Sequence, residues 1–503
     1  MSWALPNNCV PTCSGSIACE PAPRMIRPPT VATKSIFIHG EDSSAVRVSA
    51  AQLVQGTPGR AVEGQAARLA HQFLRQNEGV LRTFCADAAV DFDGKEVYLK
   101  FVTKTRVGAV PLLSPTSGRP DIGLIVRPRF EWLGIGAMLG EMGWRVVPQP
   151  LKLPLLPGSE RRIPPWVLST IVISRMQALL DRLERRFEMT DAVTASPRGT
   201  VDWQQYATVQ MPRLRLLDVP SRFPDLLDHR ELKAAIHFTL RKQLASLETQ
   251  RNAGAFVAQL AVLCQLLIDR VRSVQPKPPT GAQFQAWARQ PLTTDVFRQG
   301  IEAIEWTADD RGLAGIADLN GLPWMLSMEE FFEAWLETVM AKAAHSLGGV
   351  LQVGRRRETT VPLSWSPPYQ GSQRSLVPDL ILETGTETII IDAKYKRHWE
   401  ELQTTAWWQL DEQLQTQHRL DLLQVLAYST AKNAARIVSC LVYPCSLATW
   451  KSLQARARAY YHARIPVADR HVEVILTALP MSANHTEAAR FLVDVLTTTR
   501  DYL

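Results

Sequence analysis

The sequence lacks several features that would place the protein in common functional classes. No apolar run reaches the roughly 18 to 20 residues of a membrane span, so we expect no membrane segment. The phosphate-binding pattern G-x-x-x-x-G-K-[ST] is also absent, which argues against a P-loop NTPase. The chain does not start with a basic region followed by an apolar stretch, and we therefore expect no secretory signal peptide.

Cysteine is also sparse, with seven residues in a chain of 503. An odd number of scattered cysteines argues against a disulfide framework and predicts a reducing, cytoplasmic location. Cys9, Cys13 and Cys19 lie close together in the sequence, but no CxxC pair or histidine accompanies them. We therefore expect no zinc site in this segment.

The overall composition is that of an ordinary folded protein with a mild basic excess. Hydrophobic residues make up 46% and charged residues 21% of the chain, and the formal net charge is +7. This charge is compatible with a polyanionic partner but does not by itself indicate nucleic-acid binding.

The most informative stretch is LVPDLILETGTETIIIDAKYKR, from Leu376 to Arg397. Two short apolar runs flank a turn that contains glycine, which predicts an antiparallel hairpin of strands 376–383 and 388–394. Because strand side chains alternate between faces, Asp392 and Lys394 share one face. Pairing of the two strands would bring Asp379 to the same place.

Two carboxylates and an ammonium at the edge of a sheet suit metal-dependent phosphodiester hydrolysis. Asp379, Asp392 and the backbone carbonyl of Ala393 are hard oxygen ligands of the kind that Mg²⁺ prefers, with Mn²⁺ as a substitute. The nearby Lys394 would orient or deprotonate the attacking nucleophile. The alternative interpretation is a surface hairpin whose acids and lysine are only solvated.

The order Pro378-Asp379 followed by Asp392-Ala393-Lys394 resembles the PD-(D/E)XK nuclease signature. With the flanking segments DAKYK, QVLAY and LVYP, the pattern is similar to McrC, the nuclease subunit of McrBC modification-dependent restriction systems. The resemblance covers roughly residues 36 to 445 and is strongest from 327 to 445. A proline-rich start and an insert with Trp399, Trp407 and Trp408 depart from it.

The resemblance also implies helper residues on two helices. Gln424 and Tyr428 stand four residues apart and would share one helix face beside the catalytic site. A helix from Ser327 to His345, with Ser327 as its N-cap, carries Glu333 as a further metal ligand and Glu329 as its rival. An amphipathic helix with a polar stripe is the alternative for the first pair.

We expect an α+β or α/β multidomain fold. The sequence suggests a flexible tail at 1–35, a mixed β/α partner-binding domain at 36–160, a mainly helical region at 161–320 and a nuclease domain at 321–503. The last of these would be a PD-(D/E)XK domain with a mixed sheet flanked by helices.

The resemblance implies an Mg²⁺-dependent DNA endonuclease, the cutting subunit of a restriction complex that defends against phage and other foreign DNA. Its partners would be modified DNA and an McrB-like AAA+ GTPase or ATPase ring. Arg127, Arg129 and Arg198 are candidates for contacting the nucleotide of the ring. Two alternatives remain: a non-catalytic adaptor that docks on the ring and stimulates it, and a nuclease of the same superfamily with another task such as repair.

Overall fold

The computed structural model describes residues 36–54, 65–94, 96–130, 132–151, 153, 164–183, 186–227, 229–289, 294–310, 321–367, 371–385, 387–397, 412–430, 432, 434–467, 470–482 and 484–498. All of them belong to one unit, Ser35–Leu503. The proline-rich start with its three cysteines, and Trp399, Trp407 and Trp408, lie outside the described residues. No helix in the described ranges is long and apolar enough to cross a bilayer.

The strands are β1 Ile36–Glu41, β2 Ala45–Ser49, β3 Ala86–Asp93, β4 Glu96–Thr103, β5 Arg106–Leu112, β6 Ile122–Arg127, β7 Gln149–Pro150, β8 Arg186–Thr194, β9 Thr200–Val201, β10 Val219–Leu227, β11 Trp324–Ser327, β12 Val350–Val353, β13 Val361–Pro362, β14 Ser375–Leu376, β15 Leu380–Glu383, β16 Glu387–Ala393, β17 Arg436–Cys445, β18 Tyr460–Val467 and β19 Arg470–Pro480. The longer helices are α1 Ala66–Phe84, α2 Trp132–Glu141, α3 Trp166–Arg182, α4 Arg230–Thr249, α5 Ala255–Val271, α6 Gly281–Ala288, α7 Asp295–Ala308, α8 Met328–Leu347, α9 Glu412–Thr430, α10 Leu447–Ala455 and α11 His485–Thr498.

The N-terminal region contains a mixed five-stranded sheet in the order β1-β6-β5-β11-β7 and an antiparallel sheet in the order β2-β4-β3. Helix α1 packs on both sheets through an apolar face that includes Phe73, whose ring meets Phe101 edge-on. Gly108 has φ +146°, and a Cβ there would lie 2.1 Å from the carbonyl oxygen of Trp324. Glycine at this position therefore allows β11, more than 200 residues later in the chain, to pair with β5.

The middle of the chain is built from packed helices together with a small sheet. Helices α3, α4, α5 and α7 bury their apolar faces in one continuous core, and Gly300 of α7 lies directly against Leu179 of α3. Strands β8, β9 and β10, between residues 186 and 227, form the antiparallel sheet β8-β10-β9 within the region predicted to be mainly helical.

The C-terminal region is a mixed six-stranded sheet in the order β12-β15-β16-β17-β19-β18. Strands β16, β17 and β19 run parallel, whereas the outer neighbours pair antiparallel. One face of the sheet packs on α8 and α11, and the other packs on α9 and α10. The side chains of β16 alternate as predicted: Ile389 and Ile391 pack on the side of α8 and α11, and Ile390 packs on the side of α9 and α10.

The predicted hairpin is confirmed with one correction. Strands β15 and β16 pair antiparallel as expected. However, the first predicted strand, 376–383, is not continuous, because Leu376 pairs with Val361 in a separate two-stranded sheet. Pro378 has no N–H to donate, so the ladder restarts only at Leu380.

The mixed α/β architecture agrees with the predicted fold class. The boundaries at residues 160 and 320 stay predictions. The structure adds that β11, which lies just past the second boundary, completes the N-terminal sheet.

Candidate active site

The hairpin brings Asp379 and Asp392 to the carboxyl end of β16. Leu380 lies opposite Ile391, so the residue before Leu380 faces the residue after Ile391. Asp379 Oδ2 accepts a hydrogen bond of 2.7 Å from the backbone N–H of Ala393, which fixes that carboxylate across the hairpin. The convergence predicted from strand alternation is therefore present.

Lys394 lies between Asp392 and a glutamine of the facing helix. Its Nζ is 2.6 Å from Asp392 Oδ2, in a side-chain ion pair that is 16% and 2% exposed. The same ammonium donates to Gln424 Oε1 over 2.9 Å. This contact with Asp392 is an ion pair, and within the described residues no further donor makes a hydrogen bond to the buried Asp392 Oδ2.

Helix α9 supplies the polar side of the site through residues one turn apart. Gln424 Nε2 donates to the hydroxyl of Tyr428 over 2.7 Å, so the predicted pair shares one face and forms a chain of hydrogen bonds that ends at Lys394. Val425 and the ring of Tyr428 are buried in the core beneath. Packing of α9 on the sheet thus sets the distance between Gln424 and the lysine.

A second lysine and acid pair holds the same helix in place. Lys396 Nζ donates to both oxygens of Asp421, over 2.7 and 2.8 Å, and Tyr443 donates to Asp421 over 3.2 Å. Neither residue was predicted to have a role in the site. The sequence contains a local indication of this pair. Lys396 follows Lys394 by two residues, as residues on one face of a strand do, and Asp421 precedes Gln424 by three residues, as neighbours on a helix face do.

Helix α8 contributes Glu333. Ser327 Oγ accepts from the N–H of Glu330 and caps the helix as predicted. Glu333 is half-buried, whereas its rival Glu329 is exposed. The charge of Glu333 also raises the pKa of Asp379, whereas Glu329 is not among the causes of that shift.

The carboxylates of the site carry more negative charge than their surroundings compensate. Burial raises the pKa of Asp379 well above its ordinary value, and the charges of Asp392 and Glu333 raise it further. Burial likewise raises the pKa of Asp392, against the opposing effect of Lys394. Burial also raises the pKa of Glu333, against the opposing charge of Arg355. A bound cation would offset the burial and mutual repulsion of these three carboxylates in their charged form.

The donor set fits a hard cation that keeps several waters. Within the described residues, no group of three or more His, Cys, Asp or Glu side chains has a metal-binding arrangement, so Glu333 does not complete a closed cage. The remaining oxygen donors are the carboxylates of Asp379 and Asp392, and the main-chain carbonyl of Ala393 is a further oxygen at the same strand end. The buried Asp392 Oδ2 is paired with the ammonium of Lys394 and has no further hydrogen-bond donor within the described residues. Mg²⁺ commonly binds through one or two carboxylates plus water, so this set is sufficient for it.

A buried polar junction joins the N-terminal sheet to the residue after Lys394. Tyr395 donates to Asp42 Oδ2 over 2.8 Å, and the backbone N–H of Arg129 donates to Asp42 Oδ1 over 2.5 Å. The guanidinium of Arg129 lies 4.6 Å from the ring centre of Tyr395. The strand end that carries Lys394 is therefore anchored to a residue 353 positions earlier in the chain.

The three arginines predicted to contact a nucleotide have different surroundings. The side chain of Arg129 is 7% exposed and belongs to the buried junction. Arg127 lies 3.3 Å from a ring nitrogen of His39, and Arg198 stacks over the ring of Phe223. The contact of one of these arginines with a nucleotide stays a prediction, and Arg129 is the one whose side chain is enclosed within the fold.

The fold and the site define a class of mixed α/β protein in which a parallel strand ends in buried, incompletely neutralised carboxylates beside a lysine. A family model described as McrBC 5-methylcytosine restriction system component matches residues 158–444, which is more than half of the chain. The chain therefore belongs to the McrBC family.

Two solved structures from Thermococcus gammatolerans are similar to the chain. A half-complex from a tetradecameric assembly of McrB AAA+ hexamers with bound McrC is 13% identical, with 91% of this chain and 100% of that chain covered and a TM-score of 0.41. A cryo-EM structure of the McrBC complex is 14% identical, with coverage of 61% and 88% and a TM-score of 0.26. The comparison with curated proteins found no match.

Proposed function

We propose that the chain is the DNA-cleaving subunit of an McrBC-type restriction complex and that its C-terminal sheet is a PD-(D/E)XK nuclease domain. The observation that carries the proposal is the position of Lys394, between Asp392 at 2.6 Å and Gln424 at 2.9 Å, next to Asp379. Family membership supports the same conclusion.

The protonation state of Lys394 decides its role. Burial alone would lower the pKa of this lysine, but the charge and contact of Asp392 outweigh burial, and its pKa is raised. Lys394 is therefore an ammonium at neutral pH. It acts by orienting the attacking water and by stabilising negative charge that builds on the phosphate, while Gln424 holds it in place.

Asp379, Asp392 and the carbonyl of Ala393 would hold Mg²⁺, or Mn²⁺ in its place, and Glu333, whose charge acts on Asp379, would be the further ligand. When bound, the metal supplies charge stabilisation at the phosphate and lowers the pKa of a water ligand. The hydrogen bond from Ala393 to Asp379 keeps one carboxylate oriented for this task.

The proposal includes modified DNA as substrate and an AAA+ ring of the McrB kind as partner. Exposed apolar side chains concentrate near β9 and β10: Trp203 is 67%, Leu214 84% and Leu217 75% exposed. We propose that these side chains together form a surface for another protein. The same surface favours the second candidate function, a non-catalytic adaptor that docks on the ring and stimulates it.

Cleavage of methylated and unmethylated plasmid, with Mg²⁺ and either GTP or ATP, tests the proposal when the chain is combined with its AAA+ partner. Asp392→Ala and Lys394→Ala are compared with the exposed controls Asp494→Ala and Lys451→Ala. We expect only the first two to abolish cleavage, while all four still stimulate the NTPase of the partner. If the wild type cuts no DNA yet stimulates the ring, the adaptor is the correct function.

A Leu214→Ser/Leu217→Ser variant tests the docking surface separately. We expect it to lose stimulation of the ring, because two exposed apolar contacts are removed without a change in the fold of the site. Unchanged stimulation would exclude this surface as the contact.

A further inference from the structure

A turn of three consecutive arginines, Arg355, Arg356 and Arg357, follows β12. All three side chains are exposed. Such a concentration of positive charge next to a cluster of acids calls for an explanation, because neither the core nor the sheet requires it.

The backbone of the turn is fixed to the residue that carries a catalytic carboxylate. The N–H of Gly354 donates to the carbonyl of Asp379 over 2.8 Å, and Thr359 Oγ1 donates to the carbonyl of Pro378 over 2.6 Å. A Cβ on Gly354 would lie 2.4 Å from the carbonyl oxygen of Pro378, so only glycine permits this approach. The turn is therefore held at a set distance from the active site.

The three arginines divide into one anchor of the turn and two exposed residues without an ion pair within the described residues. Arg356 Nη2 donates to Glu337 over 2.7 Å, and this buried glutamate also accepts from Arg145 over 2.8 Å. Arg355 acts through its charge on Glu333. Arg357 has no ion pair or side-chain hydrogen bond within the described residues. Arg355 and Arg357 are thus left to bind an external anion.

The positive charges beside the acidic site favour a polyanionic ligand. A site with Asp379, Asp392 and Glu333 repels DNA unless flanking cations offset these charges. Guanidinium groups match the geometry of phosphate oxygens and can contact them in pairs of hydrogen bonds. Phosphate contacts of this kind set the register of the duplex without reading sequence.

We propose that Arg355 and Arg357 bind the phosphodiester backbone of the DNA strand next to the scissile bond and align it with the carboxylate cluster. This inference rests on the proposed nuclease function and adds the residues that position its substrate. Arg356 serves as the anchor of the turn through Glu337 and makes no contact with DNA.

Equilibrium binding of the full chain to a fluorescein-labelled duplex, without divalent metal and over a range of KCl concentrations, tests the contact. Each arginine accounts for about one released counterion, so Arg355→Gln/Arg357→Gln should make the negative slope of log K against log[salt] shallower by about two and weaken binding about tenfold per residue near 0.1 M salt. Arg355→Lys/Arg357→Lys should keep the slope. The control Arg68→Gln/Arg75→Gln, on the exposed side of α1, should match the wild type.

Equal affinity and slope for the wild type and the Arg355→Gln/Arg357→Gln variant would overturn the contact, as would a wild type that does not bind the duplex. An unchanged thermal melt of the variant shows that loss of binding is not loss of fold, since the anchor Arg356 is retained. Failure of the nuclease proposal appears in a different assay, as absent cleavage with unchanged binding. The two results are therefore distinguishable.

Discussion

Two clusters of buried charge lie at opposite ends of the same parallel strands. At the amino end, Arg436 donates to both oxygens of Glu473, over 3.1 and 2.7 Å, and also to Glu387. His462 lies 3.1 Å from Glu473. At the carboxyl end, Asp392 pairs with the ammonium of Lys394, whose charge also acts on Asp379.

The two clusters differ in how well their charges are compensated. Burial would raise the pKa of Glu473, but the hydrogen bonds and charge of Arg436 outweigh burial, and its pKa is lowered. The pKa values of Asp379, Asp392 and Glu333 are all raised instead. Satisfied ion pairs indicate structure, whereas uncompensated carboxylates in a polar site indicate function.

The largest expected effect is on cleavage. Asp379→Asn keeps the shape of the side chain and an oxygen that can accept from Ala393, but it removes a charge needed for metal binding. We expect cleavage by the complex to fall about a thousandfold or more, since groups that act as one catalytic unit give losses of this order. The free energy of unfolding, measured by urea titration, should not decrease. A variant that unfolds would show that this end is structural too.

Glu473→Gln should reduce the stability of the fold, which Asp379→Asn should not. Removing one charge from the compensated cluster leaves Arg436 buried without its main partner, and we expect a loss of about 3 to 5 kcal/mol in the free energy of unfolding. The control Glu383→Gln breaks the partly exposed pair with Lys432 and should cost at most about 1 kcal/mol. Equal losses in the two variants would remove the distinction between the clusters.

A smaller effect is expected for the residue that holds Lys394. Gln424→Leu keeps the volume of the side chain but removes the acceptor for the ammonium and the donor to Tyr428. Misplacement of a catalytic group by about 1 Å costs roughly a hundredfold, so we expect that loss in kcat with little change in KM. Partial activity in Gln424→Glu, which restores the acceptor, would confirm positioning. A loss confined to KM would contradict it.

The smallest effect is the pH dependence of stability, which should have opposite signs at the two ends. The pKa of Asp379 in the folded protein lies above its ordinary value of 3.8. The contribution of Asp379 to stability is therefore fully present below pH 3.8 and is lost as the pH rises through the folded pKa. Glu473 has a lowered pKa, so its contribution is lost as pH falls through the folded value.

Unfolding titrations at several pH values measure this difference. The stability of Asp379→Asn relative to the wild type should rise from pH 4 toward pH 7, whereas that of Glu473→Gln should fall. Parallel curves would contradict the assignment of raised and lowered pKa values.

The sequence alone predicted the parts of this protein that depend on neighbouring residues. The alternation of β16 placed Asp392 and Lys394 on one face, and helical spacing placed Gln424 and Tyr428 together, because side-chain direction follows from local backbone geometry. Ser327 was likewise predicted as a cap, since its bond reaches only three residues ahead.

Only the tertiary structure decided the rest. The contact of Tyr395 with Asp42 and the pairing of β11 with β5 join residues hundreds of positions apart, and no local pattern encodes such distances. The difference between the two charged clusters depends on burial and on which cation reaches which acid. The sequence does not distinguish a compensated acid from an uncompensated one, because the pKa of each carboxyl group is set by the surroundings that folding brings together.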